Sequence, residues 1–234
     1  MIPKNIFIGK KAIIFDFDGT IADTFALHEA AFQEALKSYD LKFAYKDYLG
    51  MSTIEAIKQI FKTNVLELEE EEVTSLVKTK RLLANLSYQN DLRFIPGALD
   101  FIQLVHRLKC SLYIASSGSQ MNVTAGLRAL SIEQYFIDVI TADDVTRSKP
   151  SPEIFEKILQ KHKIDPASAI VIEDAASGIK AAVAAKIDVV CVEGKLESPC
   201  EYADSVKFLS FSELIHEFKS YKQYEKSFSS HSNL

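Results

Sequence analysis

Asp16 and Asp18 stand two residues apart in Asp16-Phe17-Asp18-Gly19-Thr20, directly after the apolar run Ala12-Ile13-Ile14-Phe15. Alternate residues of an extended chain point the same way, so both carboxylates can face one small volume. Such a pair repels itself and is costly to desolvate, which calls for a cation or a chemical task. The plainer reading is a strand that ends in an Asp-Gly turn. A second pair of acids repeats the anomaly, however: Glu173-Asp174 follows the apolar run Ile170-Val171-Ile172. Capping of the next helix by Asp174 explains one of these acids and leaves the other.

Two further apolar runs end in groups that suit an anion. Ser116-Ser117-Gly118-Ser119 follows Leu112-Tyr113-Ile114-Ala115 and precedes a helix-like stretch. A hydroxyl and backbone amides at a helix N-terminus hold anions; the alternative is a Ser-Gly loop with Ser119 as a cap. Lys149 closes the loop after Val139-Ile140-Thr141, and Pro150 favours extended backbone before it. The commoner fate of such a lysine is the surface. Together these residues supply hard oxygen ligands for one Mg²⁺, a cation, a hydroxyl and amide donors. Phosphoryl transfer needs that set. An aspartate attacking a phosphate dianion meets repulsion on the order of several kcal/mol in a partly dry site, and Mg²⁺ and a lysine offset it.

The elements that must carry these groups are strands ending at one edge. Short apolar runs at 11–16, 111–115, 139–141, 169–172, 188–192 and 206–209 alternate with helix-period segments such as 98–109 and 152–162. Ser151 and Pro152 suit the start of the latter. This pattern predicts an α/β fold with a doubly wound, Rossmann-like parallel sheet. Residues 24–95 break it with helical stripes, Phe32-Leu36-Tyr39 and Ile54-Ile57-Ile60-Phe61, and with the acidic helix start Glu69–Glu72. A small α-helical cap therefore interrupts the core after its first strand. The predicted core is 1–23 and 96–220, the cap 24–95, and the tail 221–234 loosely structured.

The chain has 234 residues and a net charge of −5, which offers no basic field to nucleic acid. No apolar stretch is long enough to span a bilayer. The N-terminal residues lack a signal-peptide pattern. Cys110, Cys191 and Cys200 have no metal-ligand spacing, and buried thiols at 110 and 191 suit a reducing compartment. A cytoplasmic protein is expected. No apolar stripe demands a partner, so a monomer or weak homodimer is expected.

In this order the four strand-end motifs resemble those of the haloacid dehalogenase superfamily of phosphohydrolases, over roughly residues 10–215. The insertion resembles the helical cap of its β-phosphoglucomutase and phosphoglycolate phosphatase group. The resemblance implies Asp16 as nucleophile, Asp18 as acid and base in turn, and Ser116 and Lys149 as holders of the phosphoryl group. It implies Mg²⁺ bound by Asp16, Asp174 and the backbone carbonyl of Asp18, with Glu173 a ligand or a partner of one. Ser117 would add a backbone donor, and Gly19 would let the chain approach the phosphate.

Thr24 and His28 match β-phosphoglucomutase in their spacing from Asp18. Lys80 falls near a mutase cap lysine, across a gap, with Lys78 a competitor and a solvated helix face the plainer reading for both. Where the mutase has an arginine for a second phosphate, this chain has Thr53, which carries no charge. A hydroxyl supplies much less to a phosphate than a cation does. The expectation is therefore a Mg²⁺-dependent phosphatase acting on a small phosphorylated metabolite, a sugar phosphate or a phosphoglycolate-like compound. A β-phosphoglucomutase-type mutase is the alternative, and a non-catalytic phosphate-binding regulator stands behind both.

Overall fold

The structure, a computed structural model, describes residues 5–192 and 206–229. Its apolar runs become six parallel strands: β1 (Ala12–Phe15), β2 (Ser111–Ala115), β3 (Asp138–Ile140), β4 (Ala169–Glu173), β5 (Asp188–Cys191) and β6 (Val206–Phe208). They lie in the order β3-β2-β1-β4-β5-β6. Strand alternation sends Ile13, Phe15, Leu112, Ile114, Ile170 and Ile172 into one core. Ala12, Ile14, Tyr113 and Val171 enter the other. Both faces are covered, which is why the runs are continuously apolar rather than alternating.

The first core is closed by α4 (Ala98–Arg107), α5 (Gln120–Ala129) and α8 (Phe211–Ser229), through residues such as Phe101, Val123 and Phe218. The second is closed by α6 (Glu153–His162) and α7 (Ala176–Ala184), through Phe155, Ile158 and Ile179. Between β1 and α4 lie α1 (Phe25–Leu36), α2 (Thr53–Thr63) and α3 (Glu70–Asp91). These carry their own cluster, with Phe32, Leu36, Ile57, Ile60 and Phe61 buried together. The two crossings into this helical unit run side by side: Ile95 N donates to Ile21 O at 2.9 Å and Asp23 N to Arg93 O at 2.9 Å.

Several local expectations change. Residues 221–229 are not loose: they continue α8, and Tyr221 is buried. Phe211, Leu214, Phe218 and Tyr221 form one helical stripe on the first core, and its burial outweighs the polar composition of the tail. The N-cap residue of α6 is Pro152, one residue later than expected, although Ser151 Oγ still accepts from Glu153 N at 3.4 Å. Ile54 stays 41% exposed on the first turn of α2. Cys191 is buried and Cys110 half-buried, both as thiols, while Cys200 lies outside the described residues. Among the described residues no helix is long and apolar enough to cross a membrane.

Candidate active site

β1 and β4 are neighbours at the point where the strand order reverses, and open parallel sheets bind ligands beyond the carboxyl ends at such a point. Phe15 pairs with Ile172, so Asp16 and Glu173 emerge side by side. Asp16 N donates to Ile172 O at 2.9 Å, which holds the two strand ends together.

Lys149 reaches between them. Its Nζ donates to Asp16 Oδ1 at 2.7 Å, to Glu173 Oε1 at 2.7 Å and to Ala115 O at 2.9 Å, which uses all three ammonium protons. The side chain is 1% exposed, so the surface alternative fails. Burial works against its charge, but Asp16 and Glu173 hold its pKa above the ordinary lysine value. Glu173 is equally committed. Its Oε2 accepts the N–H groups of Asp174 at 2.7 Å and Ala175 at 2.8 Å. Gly178 makes room for it: a Cβ there would sit 1.6 Å from Glu173 Oε1. Glu173 thus orients Lys149 and the loop ahead of α7.

The capping role expected of Asp174 is not observed. The N-cap residue of α7 is Ala175, and Asp174 Oδ1 instead accepts from Thr20 Oγ1 at 3.1 Å. Gly19 is needed at its side: its φ is +81°, and a Cβ would lie 2.2 Å from Asp174 Oδ2. Asp16, Glu173 and Asp174 each bring a carboxylate oxygen within 4.8 Å of the others. Burial first, and then the crowding of acids, holds Asp16 and Asp174 well above the usual carboxylate range, with Lys149 pulling against it. A hard divalent cation would relieve that repulsion, and an all-oxygen donor set suits Mg²⁺. Two of these acids have oxygens to offer it, Asp16 and Asp174, whereas those of Glu173 are already hydrogen-bonded.

The Asp18 carboxylate turns away from this cluster toward the inserted helices. His28 Nε2 lies 3.0 Å from its Oδ1, and Tyr88 OH donates to the same oxygen at 3.1 Å. Ser116 Oγ is 3.4 Å from Oδ2. Thr24 also hydrogen-bonds to Asp18, and α1 accordingly begins without a side-chain cap at Thr24. Burial would raise Asp18, but His28, Lys80 and Thr24 outweigh it and bring the group to about 2.

Behind His28, Lys80 Nζ lies 2.8 Å from Nδ1 and 4.5 Å from the centre of the Phe32 ring. Lys80 is 3% exposed, so it is no solvated helix face, unlike its competitor Lys78, which is exposed. Burial lowers Lys80 to about 7 against the pull of Asp18. His28 is lowered too, by burial and then by Lys80. These contacts accommodate a Lys80 ammonium that donates to Nδ1 and a neutral imidazole that donates from Nε2 to Asp18, with Tyr88 OH also 3.0 Å from Nε2.

A cavity of about 260 Å³ joins these groups. Asp16, Asp18, Gly19, Ser117, Glu173 and Asp174 line its floor, and Thr24, His28, Thr53 and Lys80 line its upper part. Ser116 and Lys149, expected to hold the phosphoryl group directly, are not among the lining residues; they are buried behind the floor, in contact with Asp18 and Asp16. The candidate residues from both halves of the chain are thus brought together.

Among the lining or network residues that the sequence pattern does not single out are Tyr88, Tyr45 and Asn122. Tyr88 had a signal, since Lys80, Ala84 and Tyr88 share one buried face of α3 at four-residue spacing. Asn122 had none; it is 4% exposed, and its Oδ1 has no hydrogen-bond partner. Ser117 Oγ is likewise buried without one.

Residues 13–192 match the family model described as haloacid dehalogenase-like hydrolase. The chain is 28% identical over 183 residues to a phosphorylated carbohydrates phosphatase of Thermotoga maritima, covering 76% of this chain and 82% of that protein. It is 30% identical over 184 residues to the fructose-1-phosphate phosphatase YqaB of Escherichia coli, covering 77% and 95%. Its fold superposes with a TM-score of 0.79 on a variant of CbbY from Rhodobacter sphaeroides solved with xylulose-1,5-bisphosphate. That likeness covers 88% of this chain and 96% of the other, at 26% identity.

Proposed function

Because the chain belongs to the haloacid dehalogenase-like hydrolase family and is a phosphoric monoester hydrolase within it, we propose a Mg²⁺-dependent, two-step hydrolysis of a small phosphorylated metabolite. The observation that carries this reading is the division of labour between the two leading aspartates. Asp16 is locked to Lys149 on the sheet, while Asp18 is held by His28 and Tyr88 of the inserted helices.

In the first step a carboxylate oxygen of Asp16 attacks phosphorus. The bond to the leaving alcohol breaks, and Asp18 gives that oxygen a proton. In the second step Asp18 takes a proton from water, which attacks the aspartyl-phosphate, frees inorganic phosphate and restores Asp16. The Oδ1 atom of Asp18 is tied by two donors, so Oδ2 is the oxygen that exchanges the proton. Held at about 2, Asp18 is ionised and able to accept a proton; the charge of an incoming phosphoester beside it raises that value and lets it carry a proton. Lys149 keeps Asp16 in place and balances the charge that builds on the phosphoryl oxygens. Ser117 and the backbone around Gly118 face the same volume and suit those oxygens. Mg²⁺, held by Asp16 and Asp174 with the backbone carbonyl of Asp18, would screen the dianion from its attacker.

Residues 24–95 serve as a cap over this site, swinging on the paired crossings near Ala22 and Phe94. A cytoplasmic location fits thiols at Cys110 and Cys191. The mutase reading is favoured by one observation, the His28–Lys80 contact that links the acid/base group to α3. Incubation with β-glucose 1-phosphate and a trace of its bisphosphate tests it, and formation of glucose 6-phosphate selects it.

The main reading is tested with p-nitrophenyl phosphate. Phosphate release requires added Mg²⁺, stops in excess EDTA, and is abolished in Asp16→Asn. Turnover at the wild-type rate in that variant, or in EDTA, overturns the mechanism.

A further inference from the structure

The cavity is poor in positive charge where the leaving group must sit. Of the five acids in its lining, Asp16, Asp18, Glu173 and Asp174 belong to the floor and Asp23 alone stands apart from it. Lys80 is the one cationic lining residue among the described residues, and its ammonium is turned to His28 and the Phe32 ring. Lys149 stands behind the floor and is consumed by two carboxylates. The exposed Asp23 adds a negative charge to the lining.

A helix N-terminus near Thr53 is the remaining feature that would welcome an anion. That end of α2 already holds one. Glu55 Oε2 accepts from Ser52 N at 3.1 Å and from Ser52 Oγ at 2.7 Å, so the helix is closed by its own carboxylate. What the upper cavity does offer is neutral. Phe25 and Tyr45 pack with ring centres 5.3 Å apart and planes tilted by 50°, and both line it. Asn122, 4% exposed, is also among the lining residues, and its amide oxygen is buried without a protein hydrogen-bond partner. An aromatic wall packs against the C–H face of a small polyol, and an unsatisfied amide takes a hydroxyl.

We propose that this site selects phosphate monoesters whose leaving group is neutral and hydroxyl-bearing, and turns away leaving groups that carry a second phosphate or a carboxylate. The proposal rests on the phosphatase reading above and narrows it. A second anion would meet Asp23 and neutral groups, and among the described residues the one lining cation, Lys80, is turned to His28 and Phe32; unmatched or like charge is one way a site rejects a wrong partner.

The test compares kcat/KM, at one Mg²⁺ concentration, for four probes: p-nitrophenyl phosphate, fructose 1-phosphate, fructose 1,6-bisphosphate and 2-phosphoglycolate. Fructose 1-phosphate is expected to exceed both anionic-tailed probes by at least about tenfold, the ratio set by a difference of 1.4 kcal/mol in transition-state binding. Equal or faster turnover of the bisphosphate or of phosphoglycolate overturns the proposal while p-nitrophenyl phosphate turnover leaves the phosphatase reading standing. Release from none of the four overturns both. Two variants sharpen the result. Asn122→Ala should raise KM for fructose 1-phosphate severalfold more than it raises KM for p-nitrophenyl phosphate, and an equal rise for both probes counts against a hydroxyl contact. Thr53→Arg should raise the ratio of bisphosphate to monophosphate turnover at least about tenfold; an unmoved ratio counts against the charge argument.

Discussion

Replacing Lys149 by Met tests the buried charge balance of the floor. The ammonium touches Asp16 Oδ1 and Glu173 Oε1 at 2.7 Å each, and its side chain is 1% exposed. At that separation each attraction is about 6 kcal/mol for an effective permittivity of about 20, but the desolvation of three ions cancels most of it. Removing one partner of a buried pair costs about 3–5 kcal/mol because the other is stranded. Protonation sets a similar ceiling: bringing an ordinary carboxylate of pKa about 3.9 to its neutral form at pH 7 costs about 4 kcal/mol. The expected loss of stability at pH 7 is therefore about 4 kcal/mol, or a fall in Tm of about 8–16 °C for a chain of this size.

The pH dependence separates this from a simple packing defect. Without Lys149 the folded floor binds at least one more proton than the unfolded chain. Stability relative to wild type then recovers as pH falls from 7 toward 4, by about 1.4 kcal/mol per unit per proton. Mg²⁺ should recover part of it at pH 7 by supplying the missing charge. Urea unfolding followed by circular dichroism, from pH 7 to pH 5 with and without Mg²⁺, reads both effects. A Lys149→Met protein as stable as wild type at pH 7, or a deficit that stays constant with pH, refutes the reasoning.

Lys80→Met should stabilise the fold at pH 6 while lowering turnover. Lys80 is lowered to about 7 by burial against about 10.4 unfolded, so its protonation opposes folding below pH 7 and ceases to matter as pH passes 10. Thermal melts at pH 6 and pH 10 check this, and no gain at pH 6 contradicts it. Gly178→Ala should cost about 1–3 kcal/mol by overpacking and depress kcat, because its Cβ would sit 1.6 Å from Glu173 Oε1; an unchanged urea midpoint counts against that contact. Asp138, bonded to Lys161 and His162 at 2.8 Å each, keeps a lowered pKa because these bonds outweigh its partial burial. Asp138→Asn should lose below about 1 kcal/mol at pH 7 after solvent screening. That loss should vanish as pH falls through the range of the folded carboxylate, and a loss that persists at pH 2 disproves the ion-pair origin.

The strand-end chemistry was legible because it depends on local facts. An apolar run buried on both faces must be a strand of a covered parallel sheet, and the residue after it must lie at the sheet's rim. Asp16, Ser116 and Glu173 close or directly follow such runs, Lys149 closes the loop after another, and the helical period of 24–95 coincides with three helices between β1 and α4. The tail differs from its expectation because polar residues between Phe218 and Tyr221 mask a stripe whose burial depends on α4 and on Phe7.

What the chain order by itself determined is which groups reach the sheet's rim, since strand alternation and apolar run length act over a few residues. Which atoms then meet was decided by tertiary structure alone. Tyr88 and Lys80 join Asp18 and His28 across separations of 70 and 52 residues. Glu173 stands on Lys149 and two backbone amides instead of offering its oxygens. The first set follows from packing α3 over the strand ends and the second from the loop ahead of α6 folding under β1 and β4, and the desolvation both impose turns ordinary side chains into a charged network that no local pattern encodes.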